Sequence, residues 1–232
     1  MRTTVRVRHV THATPRTRHI TLDFSDTEFP FAAGQAVMVG LHASPLSKPY
    51  SIASAPWESR KTGVVQLLAQ IDDTGSPDPH LELAEPGTLL DVEGPFGSFG
   101  LPVEFDAVPL LFVAGGTGIA PLRSMLMDRL ARPRIANIAV VFSARSSDGF
   151  AYRTELEAMA AAGRIKIWFT VTRPDEHWPG RRGRIDAALL REALSSLETC
   201  CMVCGPPALV TGVTELLVQV GVTPERVLTE RY

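Results

Sequence analysis

The sequence predicts an all-β antiparallel barrel followed by an α/β domain with a parallel five-stranded sheet. Three observations predict it. Residues 1–100 hold short runs of alternating apolar residues separated by Pro, Gly, Ser and Asp clusters, the pattern of an antiparallel barrel or sandwich. After Gly100 the rhythm turns to strand, helix, strand, helix, which means parallel βαβ units. The strands of this second part are almost unbroken apolar runs, as a sheet covered on both faces requires. The 232 residues are roughly 1.5 typical domain lengths, enough for two such parts. The division falls between 1–100 and 101–232, with the boundary near Leu101–Asp106.

The first part supplies strands at Val5–Arg8, Arg18–Leu22, Ala36–Val39, Tyr50–Ala53 and Val64–Leu68. A short helix is expected from Pro77 through Leu83, stopped by Pro86-Gly87. In the second part the strands are Pro109–Ala114, Ile138–Ser143, Ile165–Val171, Cys200–Cys204 and Arg226–Thr229. Helices at Gly118–Arg132, Tyr152–Ala162, Asp186–Ser195 and Ala208–Val220 alternate with them. No internal repeat or low-complexity segment interrupts either part.

Composition excludes several classes. Hydrophobic residues at 45% and charged residues at 21% are ordinary for a folded globular chain and exclude wholesale disorder. No apolar run approaches the ~20 residues that span a bilayer. The opening residues lack the apolar core of a signal peptide, so a cytoplasmic location is expected. The net charge of −2 lacks the basic footprint of a nucleic-acid-binding protein. Residues 1–105 carry 8 Lys+Arg against 12 Asp+Glu, and residues 106–232 carry 15 against 13, so the second part is the one suited to phosphates.

The three cysteines, Cys200, Cys201 and Cys204, lie within one apolar segment. On a strand rising ~3.3 Å per residue, Cys201 and Cys204 stand about 10 Å apart, too far for a disulfide. Three thiolates also fall short of the four that an iron–sulfur cluster needs, and no metal site is expected. Cys200 and Cys201 read as small buried apolar residues.

Two segments carry chemistry. Val113-Ala114-Gly115-Gly116-Thr117-Gly118-Ile119-Ala120-Pro121 joins the first α/β strand to a helix. Glycines there let the backbone approach a pyrophosphate, and the helix N-terminus adds free N–H groups and positive potential. It is neither the GxGxxG fingerprint nor a P-loop. The second segment, Lys48-Pro49-Tyr50-Ser51-Ile52-Ala53-Ser54-Ala55-Pro56, sets a base, an aromatic and a hydroxyl on one strand. Lys48 and Tyr50 share a face, while Ser51 points the other way.

These two segments come in order with Glu93-Gly94-Pro95-Phe96-Gly97, Val203-Cys204-Gly205-Pro206-Pro207 and a terminal Glu230-Arg231-Tyr232. Together they resemble the ferredoxin–NADP reductase superfamily of flavoproteins, from Gly34-Gln35 to Tyr232. The resemblance implies a flavin-binding barrel and a nicotinamide-binding α/β domain. It implies an enzyme that passes hydride from NADPH or NADH to bound FAD, or FMN, and electrons onward. By the same resemblance Tyr50 stacks on the isoalloxazine ring and Ser51 hydrogen-bonds near its N5. Lys48, beside Pro49, contacts a flavin phosphate where the family usually has Arg; it keeps the charge and loses the bidentate fork. Gly75 and Ser76 lie where the family cradles the flavin phosphates. Gly115, Gly116, Thr117 and Gly118 meet the dinucleotide. Cys204, with Gly205 and Pro206 of the Cys-Gly-Pro motif, lies against the nicotinamide. Glu230 is the proton-relay carboxylate, and Tyr232 covers the second face of the flavin until nicotinamide displaces it.

Arg145 and Arg173, at the ends of the second and third α/β strands, are the candidates for a 2′-phosphate, which Arg recognises by geometry. In the N-terminal arm, Arg6, Arg8, Arg16 and Arg18 fall opposite Val5 and Val7 as a solvent-facing basic stripe. The sharper reading of that stripe is a docking face for an acidic electron carrier such as ferredoxin or flavodoxin. His9, His12 and His19 have no ligand-spaced partners and are expected at the surface. Two further readings stay open: a reductase of free flavin, and an electron-transfer subunit that feeds an oxygenase component or another partner.

Overall fold

The alternating pattern of residues 1–100 folds into one six-stranded antiparallel sheet that curls into a barrel. The computed structural model describes residues 1–71, 81–105, 107–133 and 137–232. The strands are β1 (Arg2–Thr14), β2 (Thr17–Asp23), β3 (Ala36–Leu41), β4 (Lys48–Ser51), β5 (Val64–Gln70) and β6 (Leu89–Phe96), in the order β4-β3-β6-β1-β2-β5. Their inward residues, among them Val5, Val7, Ile20, Leu22, Val37, Val39, Leu67 and Leu90, form the barrel core. A single antiparallel bridge, Ile52 to Leu67, ties the end of β4 to β5 and closes the ring beside Ser51. The chain crosses this seam with helix α1 (Pro56–Thr62), which begins on a proline and ends on Gly63 in the left-handed region.

The second sheet is parallel, in the order β10-β9-β8-β7-β11-β12. Its strands are β7 (Leu110–Gly115), β8 (Ile138–Ala144), β9 (Lys166–Val171), β10 (Arg181–Arg182), β11 (Cys200–Gly205) and β12 (Val227–Arg231). Alternation sorts the buried strand residues onto two faces. Leu110, Phe112, Ala114, Val140, Phe142, Cys200, Met202 and Cys204 face one core, which helices α2 (Ile119–Leu130) and α3 (Arg153–Ala161) cover. Leu111, Val113, Ala139, Val141, Cys201 and Val203 face the other, beneath α4 (Ala187–Ala193) and α5 (Pro207–Gln219). Ala53, Leu68 and Phe99 of the barrel belong to the first of these cores, so one apolar body continues across both sheets.

Several expectations change. The parallel sheet has six strands, not five: β10 is a two-residue strand beside Thr170 and Val171, too short to leave a periodic pattern. Strand β6 and helix α1 were not anticipated as elements. Of the helix expected over Pro77–Leu83, only Leu81–Leu83 is described, as one 3-10 turn; residues 77–80, with Gly75 and Ser76, lie outside the described residues. His9 and His12 are exposed, but His19 is only half-exposed. Its ring packs tilted against Tyr152, centroids 4.5 Å apart, and its Nε2 is buried with no hydrogen-bond partner among the described residues. Arg6, Arg8 and Arg16 are exposed while Arg18 is half-buried, and β1 is bulged between Val7 and His9 and again between His12 and Thr14.

Candidate active site

The site is built where β4 of the barrel meets the C-terminal ends of β7, β11 and β12. Ser51 ends β4, Cys204 lies near the end of β11, and Glu230 pairs with Cys204 on the neighbouring strand β12. The Ser51 hydroxyl donates to Glu230 Oε2 at 3.5 Å, and the Cys204 thiol approaches the same oxygen at 3.8 Å. Two side chains, one from each sheet, therefore converge on one oxygen of Glu230. Tyr50 makes a different contact from its neighbour, leaning half-buried on the barrel core. Lys48 begins the strand, half-buried, and Pro49 is exposed.

Burial sets the protonation of this group. It raises the Glu230 carboxyl above the usual range, against hydrogen bonds from Cys204 and Ser51 that pull the other way. Burial also pushes the Cys204 thiol far up, and the neighbouring Glu230 charge adds to that shift. Cys204 is a neutral thiol at neutral pH, and Glu230 holds its proton to higher pH than a solvated glutamate.

The glycine turn closes the site from the other side. Gly115 ends β7, and Gly116, with φ of 54°, enters a 3-10 turn over Gly116–Gly118 that runs directly into α2. A Cβ on Gly118 would overlap the Cys204 carbonyl, so only glycine lets α2 start this close to β11. Gly205 packs closely on Gly115, where a Cβ would come within 3.2 Å of its backbone, and exposed Pro206 leads into α5. Tyr232 lies over the turn: its hydroxyl donates to the Gly115 carbonyl at 2.7 Å, and a Cβ on Gly116 would come within 2.7 Å of that hydroxyl. Arg145 and Arg173 are both exposed just beyond β8 and β9, and the Arg173 N–H donates to the Arg145 carbonyl at 2.8 Å. In the loops that follow these arginines, the Ser147 hydroxyl donates to Asp175 at 2.6 Å.

The sequence reading missed the buried side chains behind the site. Arg123 of α2, 7% exposed, reaches Glu58 of α1 at 3.1 Å and Glu155 of α3 at 2.6 Å. No signal in the sequence marks it, because α2 also carries Ser124, Asp128 and Arg129 and one more polar residue does not stand out. Among the described residues no cluster of three or more His, Cys, Asp or Glu could hold a metal ion, and no helix is long and apolar enough to cross a membrane.

A half-buried aromatic, a hydroxyl and a cation on β4 suit a flavin. A glycine turn at a helix N-terminus suits a dinucleotide pyrophosphate. Fold and site together define an NAD(P)H-dependent flavoprotein reductase. Residues 4–100 match the oxidoreductase FAD-binding domain, and residues 112–215 match the oxidoreductase NAD-binding domain. The chain is 36% identical over 229 residues to ferredoxin–NADP reductase B of Sorangium cellulosum, covering 94% of this chain and 92% of that protein. It is therefore a member of the ferredoxin–NADP reductase family. It is 34% identical over 184 residues to the gamma subunit of sulfhydrogenase 1 of Pyrococcus furiosus, covering 77% of this chain and 61% of the relative. A Neisseria gonorrhoeae ferredoxin NADP+ reductase with bound FAD and NADP has the same fold, with a TM-score of 0.82 at 20% identity over 99% of this chain and 98% of that one. So has an Amycolatopsis cytochrome P450 reductase, with a TM-score of 0.85 at 23% identity, covering 100% of this chain and 69% of the other. The protein is a flavin-dependent NAD(P)H oxidoreductase that uses FAD and transfers electrons.

Proposed function

We propose that the protein takes hydride from NAD(P)H onto bound FAD and passes electrons to a separate carrier such as ferredoxin or flavodoxin. Residues 1–100 form the flavin-binding domain and residues 101–232 the NAD(P)-binding domain. The observation that carries this reading is the meeting of Ser51 and Cys204 at one oxygen of Glu230, across the junction of the two sheets. Bound flavin supplies the redox chemistry, accepting hydride and releasing electrons.

The chain's own residues orient and protect. Tyr50 offers a ring face to the isoalloxazine, and Ser51 a hydroxyl to its edge. Lys48 meets a flavin phosphate. Gly115, Gly116, Thr117 and Gly118 admit the dinucleotide, which requires the Tyr232 ring to leave the turn it now covers. Cys204 packs a neutral thiol against the nicotinamide. Glu230 keeps its proton to higher pH than a solvated carboxyl, with the Ser51 hydroxyl donating to its Oε2. Arg145 and Arg173 bind the 2′-phosphate of NADPH. The exposed Arg8 and Arg16 contribute to the carrier's docking face, and the protein works in the cytoplasm.

A visible spectrum of the purified protein, followed by anaerobic NADPH and NADH in separate cuvettes, tests the reading. A flavin band that bleaches rapidly with NADPH is expected. A colourless protein that oxidises NAD(P)H only when flavin is added would replace this reading with a free flavin reductase. Ser51→Ala is expected to slow flavin reduction in stopped flow by about ten-fold or more while leaving flavin bound. Replacing Arg8 and Arg16 by Glu should slow turnover with a protein carrier and leave dye reduction unchanged; equal rates with the carrier would remove the docking face.

A further inference from the structure

Two adjacent residues of α2 hold two adjacent carbonyls of the barrel. Arg123 Nη1 donates to the Ala53 carbonyl at 2.9 Å, and Ser124 Oγ donates to the Ser54 carbonyl at 2.8 Å. Those carbonyls follow Ser51 by two and three residues. The remaining Arg123 donors are all used. Nε and Nη2 form a two-pronged pair with Glu155 at 2.7 and 2.6 Å, and Nη1 and Nη2 reach Glu58 at 3.1 and 3.2 Å. Its guanidinium lies 4.9 Å from the Tyr152 ring centroid, and the Tyr152 hydroxyl donates to Gln66 of β5 at 3.0 Å. Glu58 in turn accepts from the Ala55 N–H at 2.7 Å. Five donors thus meet three elements in one fixed fork, a geometry that Arg has and Lys lacks.

The N-terminus of α2, little more than a turn before Arg123, is the glycine turn, whose Gly118 packs against the Cys204 backbone. A continuous path of contacts therefore runs from Ser51 through Ala53, Arg123, α2 and Gly118 to Cys204, and the Ser51–Glu230 contact closes it into a loop. We infer that Arg123 and Ser124 are positioning residues, setting the separation between the flavin-facing Ser51 and the nicotinamide-facing Cys204 from behind the site. The inference rests on the proposed roles of Ser51 and Cys204. Both side chains spend their donors on protein groups. Their effect is on the distance and angle at which hydride crosses, to which such a transfer is steeply sensitive.

The test uses Arg123→Lys, which keeps the charge, and Ser124→Ala, which removes one hydroxyl. Spin labels go on cysteines introduced at exposed Lys61 of α1 and Arg191 of α4; the three native cysteines are buried and stay unlabelled. Pulsed electron resonance on the flavin-free and flavin-loaded proteins reads the distance between the two labels. Both variants are expected to broaden that distribution in either form. Flavin reduction at saturating NAD(P)H should fall by about ten-fold in Arg123→Lys, with a smaller fall in Ser124→Ala, and nucleotide KM should stay near wild type. An unchanged distribution, or an unchanged reduction rate, in both folded variants would overturn the inference. Should Arg123→Lys fail to fold, Ser124→Ala decides alone by the same two readouts. Ser51→Ala separates the two claims. If it slows reduction while the α2 variants do not, the positioning role is wrong. If it too has no effect, the site reading has failed and the positioning role falls with it.

Discussion

Glu230 carries the sharpest pH prediction of any single residue. Its carboxyl is raised by burial, so the folded state prefers the protonated form. The stability this gives is fully present below the unfolded value and is lost as pH rises through the raised, folded one. Replacing Glu230 by Gln keeps the shape and removes that loss. The Gln variant should therefore gain thermal stability on the wild type as pH climbs from the ordinary value of 4.5 upward, with the two curves meeting at lower pH. Thermal unfolding at a series of pH values checks this, and a gap that widens toward acid would contradict it. The nucleotide phosphate has its own test, in a pair of residues. Arg173→Ala together with Arg145→Ala is expected to raise the KM for NADPH about ten-fold or more and leave that for NADH nearly unchanged. Sequence resemblance named Ser51, Cys204, Glu230 and Tyr232, because each sits in a short motif whose residue types are tied to chemistry. It did not place Tyr232 on the Gly115 carbonyl, since no pattern in the terminal Glu-Arg-Tyr says which neighbour the ring meets.

At the scale of elements, α2 is the one on which most else depends. It is buried on nearly every side because both sheets press on it, and the glycine turn decides where it starts. Gly118→Ala forces a methyl into the Cys204 backbone carbonyl, and neither backbone can retreat cheaply. The expected result is a protein that loses NAD(P)H reduction and unfolds earlier, read by stopped flow and by thermal melting. Phe112 of β7 is fully buried in the adjoining core, and Phe112→Ala should cost about 3–5 kcal/mol in urea unfolding. The α/β elements were legible because continuous apolar strands and helix-period segments alternate, and each predicted strand and helix overlaps an observed one. Strand β6 escaped because Gly94 and Pro95 break the alternation that Leu90 and Val92 begin. Helix α1 escaped because Pro56-Trp57-Glu58-Ser59 reads equally well as a turn, and only its packing beneath α2 settles the matter.

Across the whole molecule, the two sheets meet in one of its three apolar cores and in one half-buried ionic cluster, so they are expected to unfold together. Urea unfolding followed by tryptophan fluorescence and by far-UV circular dichroism should give one coincident transition; Trp57 reports on the junction, where its indole N–H donates to the Met127 carbonyl at 3.2 Å. Arg123→Met would leave Glu58 and Glu155 facing each other without their cation. That change should cost toward the low end of ~3–5 kcal/mol, because both carboxylates keep some water contact, and should split the transition in two. The contact between the sheets was the least legible part of the sequence. Glu58, Arg123 and Glu155 lie far apart along the chain, and nothing in the spacing of any one of them announces the other two. The outer border of the parallel sheet has a consequence of its own. An open row of backbone donors and acceptors is a template on which a second chain can add a strand, and from there aggregate. Here that row ends on β10, which is two exposed arginines long, one of them held by Glu192. A border so short and so charged gives an incoming strand little to pair with.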